Sequence, residues 1–346
     1  MYSLDTLSEI VFELSSHCNS KCPQCPRYDM QGHVRSDLNL THLELDLIKN
    51  LPIKQMKSLD TINLCGNFGD ALMHPQLDKI IECFPEQNIS ISTNASLRNI
   101  EWWSRLGEKK NVVVTFGIDG IGKEHEMYRR NTSYEKIIKN ATAYIQSGGK
   151  AKWQFIVFKH NEHQIPEAKK ISKEMGFEEI FFIYSDRFDT QDTWEVYDEG
   201  EYLYDLEKSS QQTTLRDALG SEVGDKYWKN LYRGKKEISC YWKQKKKLYI
   251  HSDGTVYPCC MLGTLNAGKN IEKLLLKKIV KDYQNIDLHH NNLQDILQSD
   301  VFLKALPSSF GGDPFSHPIC IEHCNKATGK YALEGLTKVN TDRQFS

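Results

Sequence analysis

From residue 8 to about residue 184 the chain alternates short β-branched or aromatic runs with longer amphipathic stretches, and no other feature constrains its fold as tightly. The runs predict strands at Ile10–Leu14, Thr61–Leu64, Ile89–Ser92, Val112–Phe116, Trp153–Phe158 and Glu179–Tyr184. Helices are expected over His42–Leu51, Gln76–Phe84, Ile100–Leu106, Tyr134–Gln146 and Ile165–Met175. Gly148-Gly149 and Gly176 stand where helices commonly end. Repeated βα units of this length imply the α/β class, as a parallel sheet or a partial (β/α)6 TIM-like barrel over residues 8–185. In such folds chemistry is done at the C-terminal ends of the strands. Beyond Tyr184 the pattern breaks. Residues 186–207 are acidic and aromatic without clear periodicity, and residues 186–235 read as a bridging segment. A smaller unit over 236–330 is marked by KKLYIHSDGTVYPCC, in which Asp253-Gly254 predicts a hairpin turn.

The ten cysteines are unevenly placed. Cys18, Cys22 and Cys25 lie near the start, and Cys240, Cys259, Cys260, Cys320 and Cys324 near the end. Only Cys65 and Cys83 lie between, and both read as core cysteines. The opening MYSLDTLSEIVFEL lacks the basic and apolar regions of a signal peptide, and no apolar run nears the roughly 20 residues that span a bilayer. The expected location is therefore cytoplasmic, where clustered thiols point to metal binding rather than disulfides. With 39% hydrophobic and 26% charged residues the chain is not disordered, and a net charge of −2 gives no pull toward nucleic acid or an anionic membrane. Neither is expected as a partner. The lysines of WKQKKK at residues 242–247 read as a solvated hairpin edge. His160, His163, His289 and His290, without ligand spacing, read as surface or loop residues.

Cys18-Asn19-Ser20-Lys21-Cys22-Pro23-Gln24-Cys25 follows the first strand directly, on a loop at the catalytic end of the expected barrel. Chance would place such a C-x3-C-x2-C triple in about 0.01 of chains of this composition. Three thiolates can hold a cubane on three irons and leave the fourth open; a zinc knuckle completed by His17 or His33 is the alternative. The motif resembles that of the radical S-adenosylmethionine (SAM) superfamily. The resemblance implies a [4Fe–4S] cluster that cleaves SAM to a 5′-deoxyadenosyl radical, with an external donor such as flavodoxin or ferredoxin. Gln24 departs from the aromatic residue usual before the third cysteine. The loop Gly66-Asn67-Phe68-Gly69-Asp70 resembles the glycine-rich acidic motif that holds the methionine amino group, with Asp70 in place of glutamate. Thr93 and Asn94 after the third strand, and Gly117 and Asp119 after the fourth, resemble contacts to ribose or carboxylate. Arg129 has the planar fork to pair with the cofactor carboxylate.

Near the end, Cys240, thirteen residues, Gly254, four residues and Cys259 resemble the opening of a SPASM domain. With only Cys320 and Cys324 downstream, the set is similar to the shortened twitch form, which implies one auxiliary four-iron cluster on Cys240, Cys259, Cys320 and Cys324. Zinc is the alternative metal for four thiolates. Cys260 reads as a small buried neighbour. Tyr184 and Asp186, at the end of the sixth strand, are expected to face the cavity and contact substrate or take a proton.

The expected reaction is radical oxidation of a small polar molecule such as a carbohydrate or amino sugar, with the auxiliary cluster as electron acceptor, as in the twitch-bearing inosamine dehydrogenases. Modification of a ribosomally made peptide is the second reading. It is disfavoured because only 17 residues precede Cys18, too few for a leader-binding domain. A non-enzymatic metal-binding or RNA-contacting module is the third.

Overall fold

The computed structural model describes residues 2–188, 191–212, 237–264, 279–309 and 317–325. They fall into two compact units, one drawn from 2–17, 36–89, 237–264, 279–309 and 317–325, the other from 18–35, 90–188 and 191–212.

In the first unit the strand order is β10–β9–β1–β2, with β1 at Glu9–Phe12, β2 at Thr61–Leu64, β9 at Lys247–Ile250 and β10 at Val256–Tyr257. β1 runs parallel to both β2 and β9, and β10 returns antiparallel to β9. The register sorts side chains by chemistry. Ile10 and Phe12 share a face with Ile62, Leu64, Leu248 and Ile250, all fully buried, and Phe12 meets Phe84 at 5.9 Å beyond the helix Leu77–Glu82. Each such side chain contributes about 1.5–3 kcal/mol on burial. The opposite face carries Glu9, Val11, Thr61, Asn63, Lys247 and Tyr249 and is the more polar of the two. The hairpin turns at Gly254, whose φ of 84° suits glycine.

The second unit contains β3 (Asn88–Thr93), β4 (Val112–Gly117), β5 (Lys150–Val157) and β6 (Glu179–Tyr184), adjacent in that order, with β4, β5 and β6 paired in parallel. Phe116, Trp153 and Phe155 are buried on one face. Trp103 of the helix Ile100–Gly107, Tyr144 of the helix Tyr134–Gln146, and Phe177 close over it at ring distances of 5.3–5.9 Å. Asn99 caps the first of these helices by accepting from Trp102 N at 3.0 Å. The helix Ile165–Met175 ends on Gly176 at φ 88°.

Three expectations need correction. The helix expected over His42–Leu51 is only Leu45–Lys49, because His42 bridges to Ser15 and Leu43 N bonds Leu14 O, which holds the start of that segment extended against the residues after β1. The segment read as aperiodic holds an antiparallel hairpin, β7 (Thr193–Asp198) and β8 (Glu201–Glu207), turning through Glu199 and Gly200, both at positive φ. The WKQKKK lysines are not on a sheet edge either. β9 is interior, and Lys247 pairs with Glu9 at 2.7 Å. Among the described residues no helix is long and apolar enough to cross a membrane.

Candidate radical and cluster sites

The cysteine triad lies in the second unit on a loop tied down at several points. Lys21 N donates to Arg130 O at 2.9 Å, Asn131 Nδ2 to Asn19 O at 2.7 Å and Tyr28 OH to Ser20 O at 3.0 Å. Donors also reach the sulfurs themselves. Ser20 N lies 3.4 Å and Asn94 Nδ2 3.7 Å from Cys18 Sγ, and the Ser20 hydroxyl is 3.1 Å from Cys22 Sγ. Hydrogen bonds to cysteine sulfur favour the thiolate and tune a cluster held on it. Cys22 is buried beside Tyr128, Phe158 and Phe188, with Cys25 packed against the same group. Thus Asn94, read from the sequence as a cofactor contact, is engaged with Cys18 and with Asn19 Oδ1, while Thr93 Oγ1 accepts from Ala95 N at 2.9 Å.

At the end of β4, Asp119 is fully buried and takes Arg129 Nε at 2.6 Å on one oxygen and Ile156 N at 2.7 Å on the other. Gly117 explains itself here. A Cβ at this position would stand 2.7 Å from an Arg129 guanidinium nitrogen, so the glycine makes room for the arginine. Burial works against the Arg129 charge, but Asp119, Cys22 and Tyr128 together outweigh it and hold the pKa above the ordinary arginine value. His125 underpins the turn. Its Nδ1 accepts from Asp119 N at 3.1 Å, which leaves Nε2–H for Thr132 Oγ1 at 3.1 Å. Burial first, then Arg129, pushes the His125 pKa down to about 3. A histidine kept neutral in the fold but free to protonate when unfolded stabilises above its unfolded pKa, and loses that contribution as pH falls toward the folded one. Between pH 7 and pH 5 the chain is therefore expected to lose about 2 kcal/mol of stability through His125 alone. Urea unfolding of wild type and His125→Gln at both pH values checks this, the variant showing the smaller change.

In the first unit, the loop Gly66–Asp70 folds back on itself. A Cβ on Gly66 would strike the Gly69 carbonyl, and one on Gly69 the Ser15 and His17 carbonyls, so both glycines are demanded by close backbone approach. Asp70 is buried, bonds His17 O through its backbone at 2.9 Å and caps the turn Ala71–Met73 by accepting from Leu72 N at 2.9 Å.

The four C-terminal thiols come together. Cys240, Cys259, Cys320 and Cys324 all line one cavity of about 580 Å³, with Tyr241, Trp242 and Leu306 among its walls. Cys240 caps the short helix Tyr241–Gln244, and its thiol is pulled down to about 7, chiefly by its hydrogen bond with Cys324 and also by the Lys243 and Trp242 amides. Cys260 is not on the cavity wall; it lies toward Cys65 and Glu13. Cys65 stands at the end of β2, partly exposed, and Cys83 donates to Lys79 O at 3.3 Å at a helix end. Among the described residues no three His, Cys, Asp or Glu side chains are gathered for a single metal ion. A cubane asks for less convergence, since each thiolate binds a different iron.

The radical SAM superfamily model matches residues 12–170, and that of the SPASM iron–sulfur cluster-binding domain residues 240–326. This chain is a radical SAM protein with a SPASM domain. Membership brings a [4Fe–4S] cluster, SAM and auxiliary iron–sulfur ligation, and the sulfur-directed donors on the triad and the four-thiol cavity suit that chemistry. The cysteine-type anaerobic sulfatase-maturating enzyme of Clostridium novyi is 22% identical over 324 residues, covering 83% of this radical SAM protein and 84% of that enzyme. Streptococcus suis SuiB bound to its precursor peptide SuiA matches at TM-score 0.57 and 15% identity over 88% of this chain and 67% of that one. Native anSMEcpe with bound AdoMet matches at TM-score 0.56 and 16% identity over 92% and 89%. The solved structures establish the fold, which is the expected α/β class.

Of the two expected substrate contacts of the radical SAM unit, Tyr184 lies on the face away from the expected one. Tyr184 pairs with Val157, and the alternation from Phe155 and Phe182 puts it on the helix-covered face, where it meets Ser209 and Glu162. Asp186 is exposed on the turn Asp186–Phe188. The buried polar group at the end of β6 is Ser185, whose hydroxyl donates to Gln24 Oε1 at 2.6 Å. Sequence reading missed it, although a serine between a strand end and an acidic turn was a visible signal.

Proposed function

We propose that this protein is a radical SAM enzyme that modifies a peptide or protein side chain. In this reading Cys18, Cys22 and Cys25 hold the SAM-cleaving cluster, and Cys240, Cys259, Cys320 and Cys324 hold one fully ligated auxiliary cluster. The observation that carries the ligand assignment is the convergence of four thiols, spread over 85 positions of sequence, on one cavity wall. Held on these two sets of thiols, the cofactors would supply a 5′-deoxyadenosyl radical for hydrogen abstraction and an acceptor for the remaining electron. The chain's own residues orient and insulate. Asn94 and Ser20 direct hydrogen bonds at sulfur, Asp119 fixes Arg129 toward the cofactor carboxylate, and Gly66, Gly69 and Asp70 shape the loop for the methionine amine. Thr93 and Gly117 set the turns at the ends of β3 and β4. A one-electron donor such as flavodoxin or ferredoxin is the natural partner.

The expectation of a carbohydrate substrate finds no support among the relatives. The peptide reading is supported by a sulfatase-maturating relative aligned over most of both chains, and by SuiB, whose structure holds a precursor peptide. Reconstituted protein with SAM and dithionite, offered cysteine- or serine-containing peptides or amino sugars, tests it. We expect peptides to stimulate 5′-deoxyadenosine formation and to change in mass. Stimulation by amino sugars alone returns the substrate to the small polar class.

A further inference from the structure

The geometry points to Glu13 and Tyr249 as positioning residues that tie the Gly66–Asp70 loop to the segment bearing Cys259, so that the auxiliary site and the cofactor loop are thermodynamically coupled. The inference rests on the reading of that loop as part of the SAM site.

Glu13 follows β1 and is fully buried, a costly place for a carboxylate unless every oxygen is used. Each is used on the same two elements. Oε1 accepts from the adjacent amides of Phe68 at 2.6 Å and Gly69 at 3.2 Å, inside the loop. Oε2 accepts from the Tyr249 hydroxyl, with His251 Nε2 at 3.7 Å. The loop returns the contact: Asn67 Nδ2 donates to Tyr249 OH at 3.1 Å and lies 3.4 Å from Cys260 O. The fully buried Tyr249 ring also packs so closely on Gly263 that a Cβ there would strike it, and Gly263 N bonds Cys259 O at 3.2 Å.

A contiguous route therefore runs from the Cys259 backbone through the helix Cys260–Thr264 to Tyr249, then to Glu13 and Asn67, and so to the loop. Anything that orders one end lowers the cost of ordering the other, and the coupling must be reciprocal. Neither Glu13 nor Tyr249 lines the four-thiol cavity, so their part in the auxiliary site is indirect.

The test is a double-mutant cycle on SAM binding, measured by equilibrium dialysis on anaerobically reconstituted full-length protein with iron content recorded for each sample. Cys259→Ser alone is expected to weaken SAM binding about tenfold, within the usual range of coupling between sites. Tyr249→Phe alone is expected to weaken it by a similar factor. In the Tyr249→Phe background, Cys259→Ser should then add less than about twofold, since the route is already cut. Equal factors in both backgrounds, or a Cys259→Ser protein that binds SAM as wild type does, overturns the coupling. If Tyr249→Phe does not fold, Asn67→Ala cuts the same link from the loop side and carries the same cycle. Wild-type protein that binds no SAM at all would instead sink the cofactor-site reading beneath it.

Discussion

Cys22→Ser protein is expected to form no 5′-deoxyadenosine above background and to lose about four irons per chain, with the C-terminal thiols still loaded. A serine hydroxyl is a far poorer iron ligand than a thiolate, and a cubane held by two cysteines has no stable place on the loop. Misfolding is a weak competing explanation. Cys22 sits among Tyr128, Phe158 and Phe188, and exchanging sulfur for oxygen leaves that packing nearly unchanged in volume. Chromatographic detection of 5′-deoxyadenosine with iron and sulfide analysis decides the matter. Full cofactor cleavage by Cys22→Ser would remove this cysteine from the ligand set.

Asp119→Ala is expected to have the largest effect on stability, about 3–5 kcal/mol, because it strands a buried guanidinium whose paired carboxylate has gone. It also frees the Ile156 amide that the carboxylate accepts. A paired change, Asp119→Leu with Arg129→Met, replaces the ions by packing and should recover much of the loss, while SAM affinity is expected to stay weak if the proposed pairing of Arg129 with the cofactor carboxylate holds. Denaturant unfolding of the single and paired variants separates the two effects. A cost below about 1 kcal/mol for the single change would mean that Arg129 is held by something other than Asp119.

What the sequence made legible follows from how local each signal is. Tyr134–Gln146 and Ile165–Met175 are helices over the residues expected, because apolar spacing, a serine cap and a terminal glycine are written within a few positions of each other. Thr61–Leu64 and Glu179–Tyr184 likewise stand as read. The β7–β8 hairpin was hidden by its acidic composition, since only Val196 and Leu206 are buried on it and the alternation is faint; Gly200 was the remaining sign. Tyr184 was misjudged because a strand end does not reveal which face its last side chain takes. Register does, and register is set by partners far away in sequence. The same limit hid the buried Glu13, the pairing of Arg129 with Asp119, and the reason for Gly117.

The pairing of β9 with β1 also shapes how the protein is made. Glu9 opposes Lys247, so β1 leaves the ribosome and waits for a neighbour about 240 residues behind it. At bacterial or eukaryotic synthesis rates of roughly 5–20 residues per second, that flank of β1 stays open for tens of seconds. An unpaired strand edge is a template for the wrong partner, including the β1 of another nascent chain. Truncation before Lys247 would leave the edge open permanently, so fragments ending in the middle of the chain should be far more aggregation-prone than the whole protein.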